Sequence, residues 1–118
     1  MNQLESTVRR FFDQAGVVGL LLPDGWFGGR PMESHHSLSF VAVRPKRLLI
    51  ELDDQLLLTF SGTPHVVETV TELALVGGTP TLVIDSFSQF VFEYLEYVNE
   101  TPHVLSYAEG RVCLVSPT

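Results

Sequence analysis

The chain of 118 residues has a single cysteine, no long apolar run, and no Lys or Arg between Leu48 and Gly110. With only Cys113 available, an intrachain disulfide is excluded. Its alternating position in a strand-like segment predicts a buried thiol, as in proteins of the reducing cytoplasm. The lack of a long apolar run argues against a membrane-spanning helix. We also predict no secretory signal, and one cytoplasmic domain covering residues 1–118.

The missing cations leave most of the second half of the chain acidic. The net charge is −7, and ten acidic residues lie in the cation-free stretch: Glu51, Asp53, Asp54, Glu68, Glu72, Asp85, Glu93, Glu96, Glu100 and Glu109. Nucleic acid is a poor partner for such a surface because phosphates require cations opposite them. A basic protein surface would be attracted to it. The alternative interpretation is an acidic surface that only maintains solubility.

Apolar spacing predicts one amphipathic helix followed by strands. Residues 3–15 carry an apolar stripe at helical spacing, which ends before Gly16. Later segments alternate with period two, most clearly in a hairpin over residues 48–61, and a last hairpin is expected over residues 104–115. Residues 86–98 fit either a helical stripe or a strand, and their aromatic density favours the strand.

These segments predict a mainly β fold with about eight short strands. The expected architecture is an antiparallel β-sandwich or a small barrel, with the helix packed on the sheet. Turns are predicted at residues 23–25, 53–55, 62–64 and 77–78, where Gly, Pro or Asp residues interrupt the apolar runs. The order of the strands does not follow from this pattern.

Residues 22–38 are the least periodic part of the chain and hold the only Trp, two of the four His and three of the nine Gly. Trp26 and Phe27 would either anchor a partner protein or plug the end of the sheet. Arg30 is suited to binding a carboxylate or phosphate ligand, or to fixing the loop by bonding to a carboxylate or carbonyl of the protein itself. Together with His36, Trp26 and Arg30 make a candidate small-molecule site.

The sequence contains no nucleophile–base motif, phosphate-binding loop or zinc-ligand spacing. Adjacent His35 and His36 would point to opposite faces of a strand, so they seldom bind one ion together. We therefore predict no catalytic residue, no metal and no cofactor, and the protein is not expected to be an enzyme. His36 is expected to be partly buried and hydrogen-bonded, while His35 and the Asp53-Asp54 turn are expected to be solvated.

The run Trp26-Phe27-Gly28-Gly29-Arg30-Pro31, followed by His36 and Leu38, resembles a motif of small uncharacterised bacterial proteins, W-F-G-R-P-x-D-N-x-H-x-L. The resemblance covers residues 22–98 and matches the aromatic segment 90–97 to a later strand that ends in Tyr. Here Gly29 is inserted and Glu33-Ser34 replaces Asp-Asn. The resemblance implies a small β-rich domain and no known activity.

The leading functional hypothesis is a non-enzymatic protein-interaction module whose acidic face engages a basic partner protein. The predicted contact residues are Trp26, Phe27, Glu93, Glu96 and Glu100. One alternative is a small-molecule or metal-binding domain that uses residues 24–36. The other is a homodimeric structural protein that associates through an exposed apolar strand face.

Overall fold

The structure is a computed structural model that describes residues 3–27, 35–73, 76–95 and 101–116. Its elements in chain order are α1 (Gln3–Ala15), β1 (Val17–Leu22), β2 (Gly25–Trp26), β3 (His36–Arg44), β4 (Arg47–Leu52), β5 (Leu56–Leu73), β6 (Val76–Leu95), β7 (Pro102–Tyr107) and β8 (Val112–Val115). The mainly β fold with eight strands and an N-terminal helix is therefore confirmed. The strand predicted over residues 86–98 is also confirmed as far as Leu95, and residues 96–98 lie outside the described residues.

Six strands close into an antiparallel barrel in the order β1-β3-β4-β5-β6-β8, with β8 pairing back to β1. Barrel closure leaves these six strands without a long free edge. The two remaining strands extend the wall: within the described ranges, β2 pairs only with β1 and β7 pairs only with β6. Each of these two strands therefore has one edge without a partner strand among the described residues.

Alternate side chains fill the barrel interior. Leu48, Ile50 and Leu52 of β4 are fully buried, and Leu58 and Phe60 of β5 oppose them across the paired strands. Because successive residues of a strand point to opposite faces, the predicted period-two pattern places these apolar side chains in one core. Burial of a Leu or Phe side chain contributes about 1.5–3 kcal/mol each.

Helix α1 packs against the barrel with Val8, Phe11 and Phe12 buried, as the helical stripe predicts. The rings of Phe11 and Phe12 meet edge to face with their centroids 6.1 Å apart. The helix ends at Gly16, whose N–H donates to the Phe12 carbonyl at 2.8 Å and whose φ of 76° is left-handed.

The turns predicted at residues 62–64 and 77–78 are wrong, because β5 and β6 continue through both segments. The two strands bend at Gly62, with φ of 90°, and at Ser86, with φ of 59°. Their register also shifts at this point. A bulge accommodates these residues without ending the pairing, so two long strands replace the shorter ones predicted from the turn residues.

The hairpin predicted over residues 104–115 is also wrong, because β7 and β8 do not pair with each other. They lie end to end along one edge of β6, β7 opposite Phe90–Leu95 and β8 opposite Thr81–Ile84. The segment 108–111 joins two successive strands on the same edge and does not reverse the chain. The length of β6 decides this, because its edge has room for both segments.

Candidate binding cleft

A cleft of about 600 Å³ lies between β2 and β7, the two strands that each have an edge without a described partner strand. The β1–β2 hairpin contributes Asp24, Trp26 and Phe27, and the β6–β7 pair contributes Tyr94, Leu105 and Tyr107. The described lining thus combines four aromatic rings with one carboxylate and includes no Lys or Arg.

The tight hairpin between β1 and β2 positions Asp24 and Trp26 on one wall. Trp26 pairs with Leu21 and Gly25 pairs with Leu22, as expected from the turn predicted at residues 23–25. Gly25 has a φ of 140°, which a residue with a side chain rarely adopts. The hairpin therefore presents the exposed Asp24 at its tip, next to the half-buried Trp26.

A hydrogen bond joins the two walls of the cleft. The Tyr107 hydroxyl donates to Asp24 Oδ1 at 3.1 Å, between residues that are far apart in the sequence. Burial, followed by the hydrogen bond and the negative charge of Asp24, raises the pKa of Tyr107 to about 12. At neutral pH the phenol is therefore protonated and acts as a donor, which leaves the other lone pairs of Asp24 free to accept.

Phe27 forms the floor of the cleft and closes this part of the core. Its ring centroid lies 5.1 Å from that of Phe92 and 5.1 Å from that of Tyr94, both edge to face, and 5.8 Å from that of His36. These contacts match the alternative in which Phe27 packs into the end of the sheet and closes it. Trp26 instead remains half-buried on the wall, so the two adjacent aromatic residues have different surroundings.

His36 lies beneath Phe27 and is held by the turn between β4 and β5. Its Nδ1 lies 2.6 Å from Asp53 Oδ2, and Asp53 Oδ1 accepts from the Ser37 N–H at 2.9 Å and from the Ser37 hydroxyl at 3.3 Å. A carboxylate only accepts, so Nδ1 carries a proton and donates to Asp53. Nε2 is buried and has no partner among the described residues.

The Asp53-Asp54 turn, predicted to be solvated, is tied to β3. Asp53 and Asp54 have φ of 55° and 58°, and the Gln55 N–H donates to the Leu52 carbonyl at 3.1 Å, as in a primed hairpin turn. Aspartate tolerates this left-handed backbone better than most residues, so the turn forms without glycine. Burial alone would raise the pKa of Asp53, but hydrogen bonds from Ser37 and His36, together with the charge of His36, lower it.

The structure brings together only part of the predicted site. Trp26 and Phe27 line the cleft, whereas His36 lies below Phe27 and does not line it. Arg30, Glu96 and Glu100 lie outside the described residues. His35 is exposed, whereas His36 is buried.

Glu93 faces away from the cleft, on the outer surface of the β5–β6–β7 sheet. It pairs with Leu57 on one side and Val104 on the other, and these residues border a shallow outer pocket of about 260 Å³. Val104 and Leu95 in the same pocket are more than half exposed. The outer pocket thus repeats the combination of a carboxylate and apolar groups on the opposite face of β7.

Tyr94, Leu105 and Tyr107 were not predicted from the sequence as site residues, and Asp24 was included only as the first residue of the candidate segment 24–36. The aromatic alternation at residues 90–94 predicts that Tyr94 shares a face with the buried Phe92. No local pattern indicates that Tyr107 meets Asp24, because their contact depends on where β2 and β7 leave the barrel.

Positive charge is concentrated at the other end of this sheet. Arg44, Lys46 and Arg47 surround the β3–β4 turn, where Arg47 pairs with Ser61. Asp53 lies at the opposite end of β4, the end that leads to Tyr94 and the cleft. The β3–β4 turn is therefore basic, although Asp85 and Glu68 follow beyond it on the paired β5 and β6.

Among the described residues, no group of three His, Cys, Asp or Glu side chains is placed to hold a metal ion. No helix in the described part of the chain has the length and apolar character needed to cross a membrane. Comparisons with family models, curated proteins and solved structures found no match. The resemblance to small bacterial proteins stays a prediction.

Proposed function

We propose that the protein is an interaction module that binds a basic segment of another protein in the cleft between β2 and β7. One observation carries the proposal: the described lining combines the Asp24 carboxylate with the aromatic rings of Trp26, Tyr94 and Tyr107 and includes no Lys or Arg. Lys and Arg side chains are attracted both to carboxylates and to aromatic faces.

Asp24 is prepared to accept a cationic donor. The Tyr107 hydroxyl fixes one of its oxygens at 3.1 Å and leaves the remaining lone pairs available. A guanidinium or ammonium group at this position would add a charge-assisted hydrogen bond and contacts with the aromatic walls. Each aromatic contact with a cation contributes about 0.5–2 kcal/mol, depending on how far it is desolvated.

The charge of the chain supports the same assignment. The net charge is −7, and the described cations of the β3–β4 turn lie away from the cleft. A net negative charge attracts a basic partner and accelerates its association at low salt.

Trp26 is the only tryptophan, so its fluorescence reports directly on the cleft. We expect an arginine-containing octapeptide, selected for binding to the wild-type protein, to change Trp26 emission and to bind more weakly as salt increases. The same peptide with citrulline in place of arginine keeps its shape but lacks the charge, and it should bind at least about tenfold more weakly, which corresponds to about 1.4 kcal/mol.

Two neutralising variants separate a local site from general electrostatic attraction. Asp24→Asn preserves an oxygen acceptor for Tyr107 and should weaken peptide binding about tenfold. Asp13→Asn removes the same charge from an exposed position on α1 and should leave binding within about twofold. Equal losses in both variants, or unchanged Trp26 emission, would contradict a binding site in the cleft.

The volume of the cleft favours a second candidate function, the binding of a small cationic molecule. A cavity of about 600 Å³ is large enough for a small ligand, and such sites typically measure about 300–1,000 Å³. Native mass spectrometry of the purified protein would show such a ligand as a discrete mass adduct. An adduct lost in Asp24→Asn and kept in Asp13→Asn would favour the small molecule over a peptide.

A further inference from the structure

We infer that the basic segment binds as an added β-strand along the free edge of β7, with one cationic side chain at Asp24 on the cleft face and another at Glu93 on the outer face. This inference rests on the proposed function and specifies the conformation and the charge pattern of the partner. It depends on the chemistry of the β7 edge and on the two pockets that flank it.

The β7 edge lacks the usual protection of an exposed strand. Its sequence, Pro102-His103-Val104-Leu105-Ser106-Tyr107, contains no Lys, Arg, Asp or Glu, and its pairing with β6 shows no bulge. Charged side chains, bulges and Pro residues within a strand normally prevent edge-to-edge pairing, and here the only Pro is the first residue.

The backbone of β7 is able to template another strand. In an antiparallel pair, every second residue directs both its N–H and its C=O away from the partner strand. Because β7 pairs only with β6 in the described part of the chain, these groups lie along the edge of β7 that has no described partner strand. Pro102 has no N–H to offer, so from Val104 to Tyr107 this edge offers about two residues for main-chain hydrogen bonding to a partner, as in other complexes formed by strand addition.

The two faces of β7 carry matching chemistry. Leu105 and Tyr107 point into the cleft that contains Asp24, whereas Val104 lies beside Glu93 in the outer pocket. Successive side chains of an added strand would also point to opposite faces. The strand would therefore present one set of side chains to the cleft and the alternate set to the outer pocket.

Charge complementarity selects a basic segment over a second copy of this chain. Two copies paired through β7 would bring the Asp24 and Glu93 carboxylates of one molecule toward an edge that has no Lys or Arg to meet them. Each copy also carries a net charge of −7, so the pair would repel. An extended segment with Arg or Lys side chains satisfies both carboxylates.

This arrangement predicts a specific charge pattern in the partner. Two cations on opposite faces of a strand must be separated by an odd number of positions, such as i and i+1 or i and i+3. β-branched residues at the other positions would favour the extended conformation. A segment bound as a loop would show no preference for odd separations between its two cations.

The test is a selection of binders from a displayed library of random octapeptides, with wild-type, Asp24→Asn, Glu93→Gln and Glu68→Gln proteins as separate targets. Glu68 lies on β5 outside both pockets and is the matched control for Glu93. We expect wild type and Glu68→Gln to select peptides with cations at odd separation. Asp24→Asn and Glu93→Gln should each retain the preference for only one of the two cations.

Strand addition is tested on the best selected peptide by methylating its backbone nitrogens one at a time. Every second N-methyl group should reduce affinity at least about tenfold, and the intervening ones should have little effect, because only alternate N–H groups face β7. This measurement leaves the protein unchanged, so it does not depend on whether a β7 variant folds.

The outcomes distinguish this inference from the proposed function. One contrary result is a set of selected peptides that require Asp24 and yet have cations at both odd and even separations, with no alternating effect of N-methylation. That result would overturn strand addition and leave the basic-segment site intact. Failure to select Asp24-dependent cationic peptides would contradict both strand addition and the proposed binding of a basic segment in the cleft. A protein that sediments as a dimer, and becomes monomeric when Val104 is replaced by Lys, would show that a second copy occupies the edge, which also overturns the inference.

Discussion

Replacing Asp53 by Ala should lower the free energy of unfolding by about 3 kcal/mol at pH 7. The substitution leaves the buried His36 Nδ1–H without its acceptor at 2.6 Å and removes the acceptor of the Ser37 N–H at 2.9 Å. A buried unsatisfied donor costs about 1–3 kcal/mol, and a more exposed lost hydrogen bond costs about 0.5–1.5 kcal/mol. For a chain of 118 residues, 3 kcal/mol corresponds to a decrease in Tm of about 10 °C.

The pH dependence of this effect has a definite sign. The folded protein holds the pKa of Asp53 below its usual range, so the carboxylate contributes stability above the unfolded pKa of about 4. That contribution is lost as the pH falls through the lower folded pKa. The difference in stability between wild type and Asp53→Ala should therefore narrow below about pH 4.

Urea unfolding followed by circular dichroism at a series of pH values measures both quantities. Asp54→Ala is the matched control, because Asp54 has the same left-handed backbone and bonds to Ser39 through its own N–H, which alanine retains. A double-mutant cycle with His36→Phe isolates the coupling. Equal destabilisation by Asp53→Ala and Asp54→Ala, with no coupling to His36, would refute the reasoning.

Three further predictions test the packing of Phe27, Gly62 and Cys113. Phe27→Ala should cost about 2 kcal/mol in urea unfolding because its ring closes the core over Phe92, whereas Phe40→Ala, at a side chain 43% exposed, should cost less than about 0.5 kcal/mol. Gly62→Ala should destabilise by about 2–4 kcal/mol, because its Cβ would lie 2.8 Å from Ser88 Oγ as well as at positive φ. Gly16→Ala, where a Cβ meets nothing, should show only the backbone cost of about 1 kcal/mol, and similar losses at both glycines would contradict the close contact. Burial raises the pKa of Cys113, so a disulfide reagent should modify the native thiol at least about 100-fold more slowly than the thiol in urea, and rapid native labelling would contradict its burial.

Strand positions and their buried faces were predictable where local alternation is strong. The residues of the 48–61 hairpin that alternate as apolar in the sequence, including Leu48, Ile50 and Phe60, are fully buried. Turn residues were less informative. Gly62 ends a strand in the sequence interpretation, but in the barrel it forms a bulge, because pairing with β6 on both sides of the bend keeps β5 extended.

The candidate site was predictable only in part. The hairpin tip at residues 23–25 and the unusual position of Trp26 follow from local residue types. The partners of these residues do not, since Tyr107 reaches Asp24 through two strands that leave the barrel at different points. Likewise, the sequence places His36 in a loop and Asp53 in a turn, and only the pairing of β3 with β4 brings them within hydrogen-bonding distance.

The sequence by itself determined the class of fold, the amphipathic helix and the separation of most cations from the acidic half, because each depends on local periodicity or composition. Tertiary structure alone decided that β7 and β8 share one edge of β6, that β2 and β7 each have an edge without a described partner strand, and that a carboxylate lies on each side of β7. These features arise from pairing between distant strands. Such pairing depends on how the whole barrel closes, and closure has no signature within any one segment.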